Sequence, residues 1–415
     1  MTGQAVDEAI AEGRRKIEWV RRNSPVLDGY VRETLADGAL RGRRVAVVVH
    51  LEAKTAFLAK ILAEAGAEVV VGGSNPFTTR NDVVEALRAD GLTVIGREGG
   101  GYPEWEEDLL ALADTEPEIV IDDGAELTVR MAKHRPDAFR RLAGVTEETT
   151  TGTHRLERMA SAGMLPFPAL TANNARCKHL FDNRYGTGQT TVQALLALTN
   201  MQIAGMRIVV VGYGWVGRGI ATYAKALGAR VGVLEVDPVR ALEAMMDGHA
   251  VGSAADLLPG AAAVITATGG IRAVGLPEFD LLSDGAILAN AGHHDLEIDV
   301  PALESAATSS RQARPQIRAF DLSGRVVNVL SEGALVNIAG GSGHPIEIMD
   351  LTFAVQGLGA HHLAGTELPV GVNVLPKHLD DAIAAARLRA GGITLDEPDQ
   401  RHVDDVLAGL SEGLE

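Results

Sequence analysis

A glycine-rich turn near the middle of the chain has the spacing of a dinucleotide-binding site. Gly212, Gly214 and Gly217 follow the apolar run 207–211 and open a segment with helical spacing. Glycines in such a turn let the backbone approach a pyrophosphate, which binds to the free amides of the helix N-terminus. Glu235 ends the next apolar run, where a carboxylate receives ribose hydroxyls and repels a 2′-phosphate. The pattern therefore predicts NAD rather than NADP.

Alternating apolar and helical segments must position this turn and its neighbours. In the first half, apolar runs at 43–50 and 118–124 alternate with helical segments, and a second series begins at 207. Such alternation predicts an α/β fold of two doubly wound Rossmann-like parallel-sheet domains, followed by a small helical C-terminal tail. Ligands bind beyond the carboxyl ends of parallel strands, so His50 and the pair Asp122–Asp123 are site candidates.

Composition narrows the class of protein. The 415 residues suffice for two or three domains, and a net charge of −17 argues against a nucleic-acid partner. No apolar run reaches the roughly 18–20 residues that span a bilayer, so we expect no membrane association. The single cysteine, Cys177, excludes an internal disulfide and favours the cytoplasm. The histidines lack the spacing of metal ligands, so we expect no metal site.

Five separated motifs resemble those of the S-adenosylhomocysteine hydrolase family. They are VTEETTTGTHRL (145–156), NNARCKHLFDNRYGTGQTT (173–191), GYGWVGRG (212–219), NAGHHDLEID (290–299) and NIAGGSGHP (337–345). The motifs follow the family's order over nearly the whole chain. The wording FDNRYGTGQ and the short middle of the chain are similar to the compact form of the family, which lacks an internal insertion.

The resemblance implies a redox cycle that leaves no net oxidation. Oxidation of a nucleoside 3′-hydroxyl by NAD makes the hydrogen on C4′ acidic, and its loss expels the 5′ substituent by β-elimination. Water then adds, and the hydride returns to the 3′ ketone. The expected reaction is reversible hydrolysis of S-adenosylhomocysteine, or S-inosylhomocysteine, to the nucleoside and homocysteine. Because NAD is regenerated in place, we expect it to be tightly held.

The resemblance also assigns catalytic roles. Lys178 and Asp182 match the pair that handles the 3′-hydroxyl proton. Asp123 and His50 match the groups that manage the C4′ proton and the leaving group or water, and His293 matches the histidine facing the 5′ substituent. The expected catalytic residues are therefore His50, Asp123, Glu148, Lys178, Asp182, Asn183 and His293. Several such groups are needed, since each typically contributes about 10²–10⁴-fold in rate.

Further residues are expected to bind the ligands. Glu148 resembles the carboxylate that holds the ribose hydroxyls, and Asn183 lies in the motif that positions groups near the nicotinamide. The expected cofactor-binding residues are Thr149, Thr150, Thr151, Asn183, Gly212, Gly214, Trp215, Val216, Gly217, Glu235, Thr268 and Asn337. The expected substrate-binding residues are Glu52, Lys54, Thr55 and His344. Glu52 and Lys54 depart from the longer family form, which leaves adenine and hypoxanthine both open as the base.

Domain boundaries follow from the positions of the motifs. Residues 1–182, rejoined by 346–375, are expected to form the substrate-binding domain, and residues 186–343 the NAD-binding domain. Residues 376–415 are expected to form a helical segment that contacts a neighbouring subunit. The resemblance implies a homo-oligomer, either a tetramer or a dimer.

Two other functions stay open at this stage. The same oxidation and elimination could expel water from a nucleoside sugar and leave an unsaturated product, as in a dehydratase for angustmycin-type nucleoside antibiotics. A non-catalytic NAD-binding regulator is the third reading, although such relatives usually lose active-site residues. The motifs quoted above retain theirs.

Overall fold

Two parallel-stranded layers organise the chain, each covered by helices. The computed structural model describes residues 3–396. The strands are β1 (Arg44–Val49), β2 (Glu68–Gly73), β3 (Thr93–Ile95), β4 (Ile119–Asp122), β5 (Gly144–Glu147), β6 (Pro168–Thr171), β7 (Arg207–Val211), β8 (Arg230–Leu234), β9 (Ala250–Val251), β10 (Ala263–Thr266), β11 (Ala286–Asn290), β12 (Ser309–Arg314), β13 (Ile317–Asp321), β14 (Val326–Leu330) and β15 (Gly371–Asn373). The predicted α/β class is confirmed.

Helices fill most of the connections between strands. They are α1 (Gly3–Arg22), α2 (Arg32–Leu35), α3 (Ala53–Glu64), α4 (Asn81–Ala89), α5 (Tyr102–Ala113), α6 (Glu126–His134), α7 (Pro136–Arg140), α8 (Thr150–Ser161), α9 (Arg176–Lys178), α10 (Thr187–Thr199), α11 (Trp215–Ala226), α12 (Pro238–Met246), α13 (Ala254–Leu257), α14 (Leu276–Phe279), α15 (Val300–Ala306), α16 (Val336–Ala339), α17 (Ile346–Gly365) and α18 (Lys377–Ala390). Val26–Val31 and His179–Gly186 are π-helical, and Ala172–Asn174 and Ser331–Gly333 are 3₁₀ turns. None of the helices within residues 3–396 combines the length and apolarity that crossing a membrane requires.

The first sheet is parallel throughout and brings three strand ends together. Its order is β15-β6-β5-β4-β1-β2-β3. All four residues of β4 are buried, because helices cover both faces of the sheet. Val48 of β1 pairs with Asp122 of β4, which in turn pairs with Glu147 of β5. The residues that follow these three strands therefore share one edge of the sheet.

The second sheet is mixed, which differs from the predicted parallel sheet. Its order is β12-β13-β14-β11-β10-β7-β8-β9, and β13 runs antiparallel to both β12 and β14. Short connections explain the difference, since only antiparallel neighbours can be joined by tight turns. Gln316 (φ 63°) lies in the first turn, and Ser323 (φ 58°) and Gly324 (φ 92°) lie in the second.

The chain returns to the first sheet after the second is complete. Helix α17 packs on β4 and β5, and β15 pairs with β6. Helix α18 then packs against α17 and α9 of the same chain, where Asp380 accepts hydrogen bonds from the amides of Arg176 (2.8 Å) and Cys177 (2.9 Å). A contact of residues 376–415 with a neighbouring subunit stays a prediction, and residues 397–415 lie outside the described part of the chain.

Glycines allow an unusually close contact between α11 and the segment before α10. A Cβ atom on Gly219 would overlap the carbonyl oxygen of Arg184, and one on Gly188 would lie 2.6 Å from the carbonyl carbon of Gly219. Such overlap can be relieved only by moving backbone. The contact therefore fixes the cofactor-binding helix against the π-helix that precedes α10.

Substitution of Gly219 tests this contact. Gly219→Ala should lower the free energy of unfolding by about 1–3 kcal/mol, the usual cost of overpacking, and should lower the apparent Tm in calorimetry. Gly29→Ala is the matched control, because a Cβ at Gly29 would meet no atom within 4 Å. Equal Tm values for the two variants would contradict the close contact.

Candidate active site

A cavity of about 450 Å³ opens between the carboxyl ends of the two sheets. Residues of both units line it, and they include most of the predicted site. The predicted residues in its wall are His50, Glu52, Lys54, Thr55, Asp123, Glu148, Thr149, Thr150, Thr151, Lys178, Asp182, Asn183, Gly212, Gly214, Trp215, Val216, Glu235, Thr268, His293 and His344. Gly217 and Asn337 are predicted site residues that do not line this cavity.

Asp123 lies between two histidines that come from different sheets. Its Oδ2 accepts a hydrogen bond from the Ser74 hydroxyl at 2.7 Å and lies 3.5 Å from Nε2 of His50. Its Oδ1 lies 3.7 Å from Nδ1 of His293 and accepts no hydrogen bond from the described residues. The Thr78 hydroxyl, 2.8 Å from Nδ1 of His50, orients that ring. One carboxylate thus connects two imidazoles at the cavity wall.

The charges in this group are set by burial and by mutual contact. Burial would raise the pKa of Asp123, but His293, His50 and the Ser74 hydroxyl together hold it below its usual value. Burial lowers the pKa values of His50 and His293 despite the attraction of Asp123. An ionised carboxylate therefore stands between two neutral imidazoles. This arrangement can accept a proton on one side and deliver one on the other.

The π-helical segment gathers a second group of polar side chains. Its wider turn lets Nζ of Lys178 donate to Oδ1 of Asp182 (2.9 Å) and to Oδ1 of Asn183 (2.7 Å). Burial disfavours the Lys178 charge, but Asp182 and Glu148 outweigh it and raise the pKa of Lys178. The pKa of Asp182 is lowered, since Lys178 and His344 outweigh its burial. Lys178 is therefore a charged donor.

Glu148 stands between the two groups and holds a proton at neutral pH. Its Oε1 lies 3.7 Å from Nζ of Lys178, and its Oε2 accepts from Nε2 of Gln356 at 2.6 Å. Burial raises the pKa of Glu148 to about 8, although Lys178 opposes the shift and Asp182 adds to it. A neutral carboxyl group can both donate to and accept from a sugar hydroxyl.

The three glycines of the fingerprint have different structural tasks. Gly212 adopts φ 96°, and a Cβ there would lie 2.7 Å from the carbonyl oxygen of Ala267. A Cβ on Gly214 would meet nothing closer than Nη1 of Arg240 at 3.9 Å, which leaves room for a ligand at the N-terminus of α11. A Cβ on Gly217 would overlap the Gly212 carbonyl oxygen. Gly217 therefore packs the helix on the turn and does not face the cavity.

The acid after β8 and a buried amide complete the fit to a dinucleotide. Oε2 of Glu235 accepts from the amide of Tyr213 at 2.6 Å, so the carboxylate is fixed beside the glycine turn. Asn337 is fully buried behind the cavity and donates to the Thr190 hydroxyl at 3.1 Å, while its Oδ1 has no partner among the described residues. With the open helix N-terminus, these residues fit bound NAD.

The predicted substrate-binding residues lie at the other end of the cavity. Nζ of Lys54 donates to Oε2 of Glu52 (3.0 Å) and to the carbonyl oxygen of Ser342 (3.1 Å). Nε2 of His344 lies 2.8 Å from the Thr187 hydroxyl. The Thr55 hydroxyl donates to the backbone carbonyl of His50 at 2.5 Å, so Thr55 also holds the strand end that carries the histidine.

The threonine run is less uniform than the sequence suggests. The Thr149 hydroxyl caps α8 by accepting from the Gly152 amide (3.0 Å), and it donates to Oε1 of Glu147 (2.9 Å). Thr150 is exposed at the cavity wall, with its hydroxyl 3.4 Å from Oδ1 of Asn173. Thr149 is thus engaged with the protein, whereas Thr150 and Thr151 turn toward the space beside the nicotinamide motif.

Several functional residues escaped the sequence analysis. Gln356 holds Glu148 from 208 positions away, and Ser74 holds Asp123 from 49 positions away. No local pattern reveals such partners. Glu147 was quoted within a motif but given no role, although its place as the last residue of a buried strand was a usable signal. The absence of a metal stays a prediction, and the ligand atoms of His50, Asp123 and His293 do lie within 4.8 Å of one another.

Comparison with known proteins identifies the family. The model for the NAD-binding domain of S-adenosyl-L-homocysteine hydrolase matches residues 183–343, and the model for S-adenosyl-L-homocysteine hydrolase matches residues 6–138. The chain belongs to the S-adenosyl-L-homocysteine hydrolase family. The resemblance carried by the five motifs is therefore confirmed, and with it the expectation of an NAD-dependent enzyme.

Members of this family from archaea and bacteria match nearly the full chain. An adenosylhomocysteinase of Thermotoga maritima is 44% identical over 388 residues, which cover 93% of this chain and 96% of the relative. An S-inosyl-L-homocysteine hydrolase of Methanosarcina mazei is 43% identical over 392 residues, covering 94% and 95%. An adenosylhomocysteinase of Thermococcus kodakarensis is 44% identical over 388 residues, covering 93% and 92%.

The protonation of Glu148 gives this family member a predictable pH dependence. With a pKa raised to about 8, the carboxyl group is neutral at lower pH and ionises beside Asp182 at higher pH. We expect kcat/KM to fall as pH rises through this pKa, and Glu148→Gln, which cannot ionise, to lack this alkaline limb. The exposed Glu157→Gln variant is the control. An alkaline limb that survives in Glu148→Gln would contradict the assignment.

Proposed function

We propose that this chain catalyses the reversible hydrolysis of S-adenosylhomocysteine or S-inosylhomocysteine, with NAD as a resident cofactor. The observation that carries the proposal is the presence of two separate polar groups in one cavity. One is the Lys178–Asp182–Asn183 group beside the dinucleotide turn, and the other is the Asp123 carboxylate between its histidines. An oxidation followed by an elimination needs both.

The first group acts at the 3′ position of the sugar. Bound NAD supplies a reversible hydride acceptor there. Lys178, kept charged by Asp182, donates a hydrogen bond to the 3′ oxygen. It thereby stabilises the negative charge that develops on this oxygen when the neighbouring C4′ loses its proton. The neutral carboxyl of Glu148 binds a ribose hydroxyl and fixes the sugar between the two groups.

The second group acts at C4′ and at the 5′ substituent. The Asp123 carboxylate and the neutral His50 imidazole are proton acceptors for C4′. On the other side of Asp123, His293 exchanges a proton with the 5′ leaving group, or with the water that adds in its place. Because Asp123 contacts both imidazoles, the proton removed at C4′ and the proton needed at the 5′ position can be managed by one connected group.

Lys178→Ala tests the oxidation step. The variant should form reduced nicotinamide about 10²–10⁴-fold more slowly on addition of a nucleoside, the usual effect of losing one positioned acid–base group. Absorbance of the reduced cofactor in a stopped-flow experiment measures this. Lys60→Ala is the control, since Lys60 pairs with Asp90 on the surface of the first domain. A variant that still reduces NAD at the wild-type rate would remove Lys178 from its role.

The leaving group distinguishes hydrolase from dehydratase. The relatives described above are named hydrolases or adenosylhomocysteinases, so the dehydratase for unsaturated nucleosides is not favoured. Mass spectrometry should find free homocysteine from S-adenosylhomocysteine or S-inosylhomocysteine, and no product of a nucleoside minus water. Both bases belong in the panel, because Lys54 offers a donor for a 6-oxo group and Glu52 an acceptor for a 6-amino group.

We also infer a homo-oligomer of cytoplasmic location that binds no nucleic acid. Helix α12 and its approach expose apolar side chains, with Val236 99%, Val239 70% and Met246 76% exposed. Such a patch is more often an interface than a free surface. The unpaired thiol of Cys177 suits a reducing compartment. The intact acid–base groups disfavour the alternative of a non-catalytic regulator.

A further inference from the structure

Glu147 joins two loops of the site without lining the cavity. It is the last residue of β5 and is fully buried. Its Oε2 accepts from the Ala125 amide (2.8 Å). Its Oε1 accepts from the amides of Gly124 (2.9 Å) and Thr149 (2.7 Å) and from the Thr149 hydroxyl (2.9 Å). One carboxylate therefore connects the loop after Asp123 with the threonine loop.

The loop after Asp123 has a backbone conformation that needs such a partner. Gly124 and Ala125 are consecutive left-handed residues, with φ 85° and φ 54°. Alanine adopts this region at a cost of roughly 1 kcal/mol, so the surroundings must hold it there. The two amides of this turn point at Glu147. Burial and the nearby Asp122 raise the pKa of Glu147, so it is the hydrogen-bond donors that favour its ionised form.

This turn determines how Asp123 meets His293. A Cβ on Gly124 would lie only 2.6 Å from Nε2 of His293, so the turn packs directly beneath that imidazole. On the other side, a Cβ on Gly152 would overlap the Glu147 carboxylate. The first turn of α8 thus leaves a space that the carboxylate fills.

We propose that Glu147 is a positioning residue that fixes the Asp123 turn and the Thr149 loop relative to each other. Through the turn it sets the contact between Asp123 and His293, and through Thr149 it sets the loop that borders the cofactor. The proposal rests on the proposed function, because it assigns C4′ proton removal to the Asp123 group. Glu147 itself touches neither substrate nor cofactor.

Glu147→Gln provides the first test, because an amide nitrogen cannot accept from a backbone N–H on either side. We expect exchange of the C4′ hydrogen with deuterium oxide, at saturating substrate and NAD, to slow by up to about 10²-fold, the scale set by small misplacements of reacting groups. NAD affinity, measured by titration of the cofactor-free protein, should also weaken. Wild-type values of both quantities in this variant would overturn the proposal.

Ala125→Gly separates positioning from general destabilisation. Glycine adopts the left-handed conformation without strain, so the turn depends less on the carboxylate. In the Glu147→Gln background, Ala125→Gly should restore much of the C4′ exchange but not the NAD affinity, since the Thr149 amide still lacks its acceptor. Failure of the double variant to regain exchange would overturn the link through the turn.

Asp350→Asn is the matched control for loss of a buried carboxylate. Asp350 also accepts two backbone amides, from Val26 (3.0 Å) and Leu27 (2.8 Å), but it contacts neither loop of the site. It should lower the Tm while leaving C4′ exchange and NAD affinity close to wild type. If Asp350→Asn slows exchange as much as Glu147→Gln does, Glu147 has no special positioning role.

The same measurements separate this proposal from the proposed function. If the wild-type protein exchanges no C4′ hydrogen at all, the elimination chemistry is wrong and the proposed function fails. If the wild type exchanges normally and Glu147→Gln matches it, only the positioning role fails. NAD affinity gives a second readout that does not depend on turnover.

Discussion

Concentration of acid at one buried edge of the first sheet is the constraint on which the site depends. The parallel register of β1, β4 and β5 brings their carboxyl ends together, and the π-helix adds one more acidic residue. The buried carboxyl groups gathered there are Asp122, Asp123, Glu147, Glu148 and Asp182. Like charges this close cannot all ionise in a medium of low dielectric constant without compensation. Most of the local structure can be understood as that compensation.

Each carboxyl group is accommodated by a different means. Asp122 accepts from the first turn of α6, through the amide and hydroxyl of Thr128, and Glu147 accepts from the loop amides. Asp182 pairs with Lys178. Glu148 holds a proton, because the charge of Lys178 is already shared with Asp182. Asp123 alone keeps an oxygen without a donor among the described residues, and this is the oxygen that faces His293. The carboxylate left least satisfied is the one placed to exchange protons.

How much of this could be read from the sequence depends on how local each interaction is. The glycine turn, Glu235 and the strand ends were predictable, because fixed spacings and apolar runs specify them. The antiparallel edge of the second sheet was missed, since its short turns were read as loops. Gln356 and Ser74 were missed because tertiary packing alone brings them to Glu148 and Asp123. The π-helical turn was missed as well, because the motif KHLFDN fits an α-helix equally well by composition.

The close glycine contact explains how the two polar groups can work on one sugar. Gly219 of the cofactor-binding helix packs against the backbone of Arg184, which belongs to the same π-helix as Asp182 and Asn183. The residues that act at the 3′ position are therefore fixed to the helix that binds the dinucleotide, although they precede the second sheet in the chain. Asp123, by contrast, belongs to the first sheet and meets the second only through His293. Small movements between the two sheets would leave the hydride-transfer geometry intact and change the elimination group first. Oxidation and elimination thus depend on different contacts, and this is what allows separate substitutions to impair one step without the other.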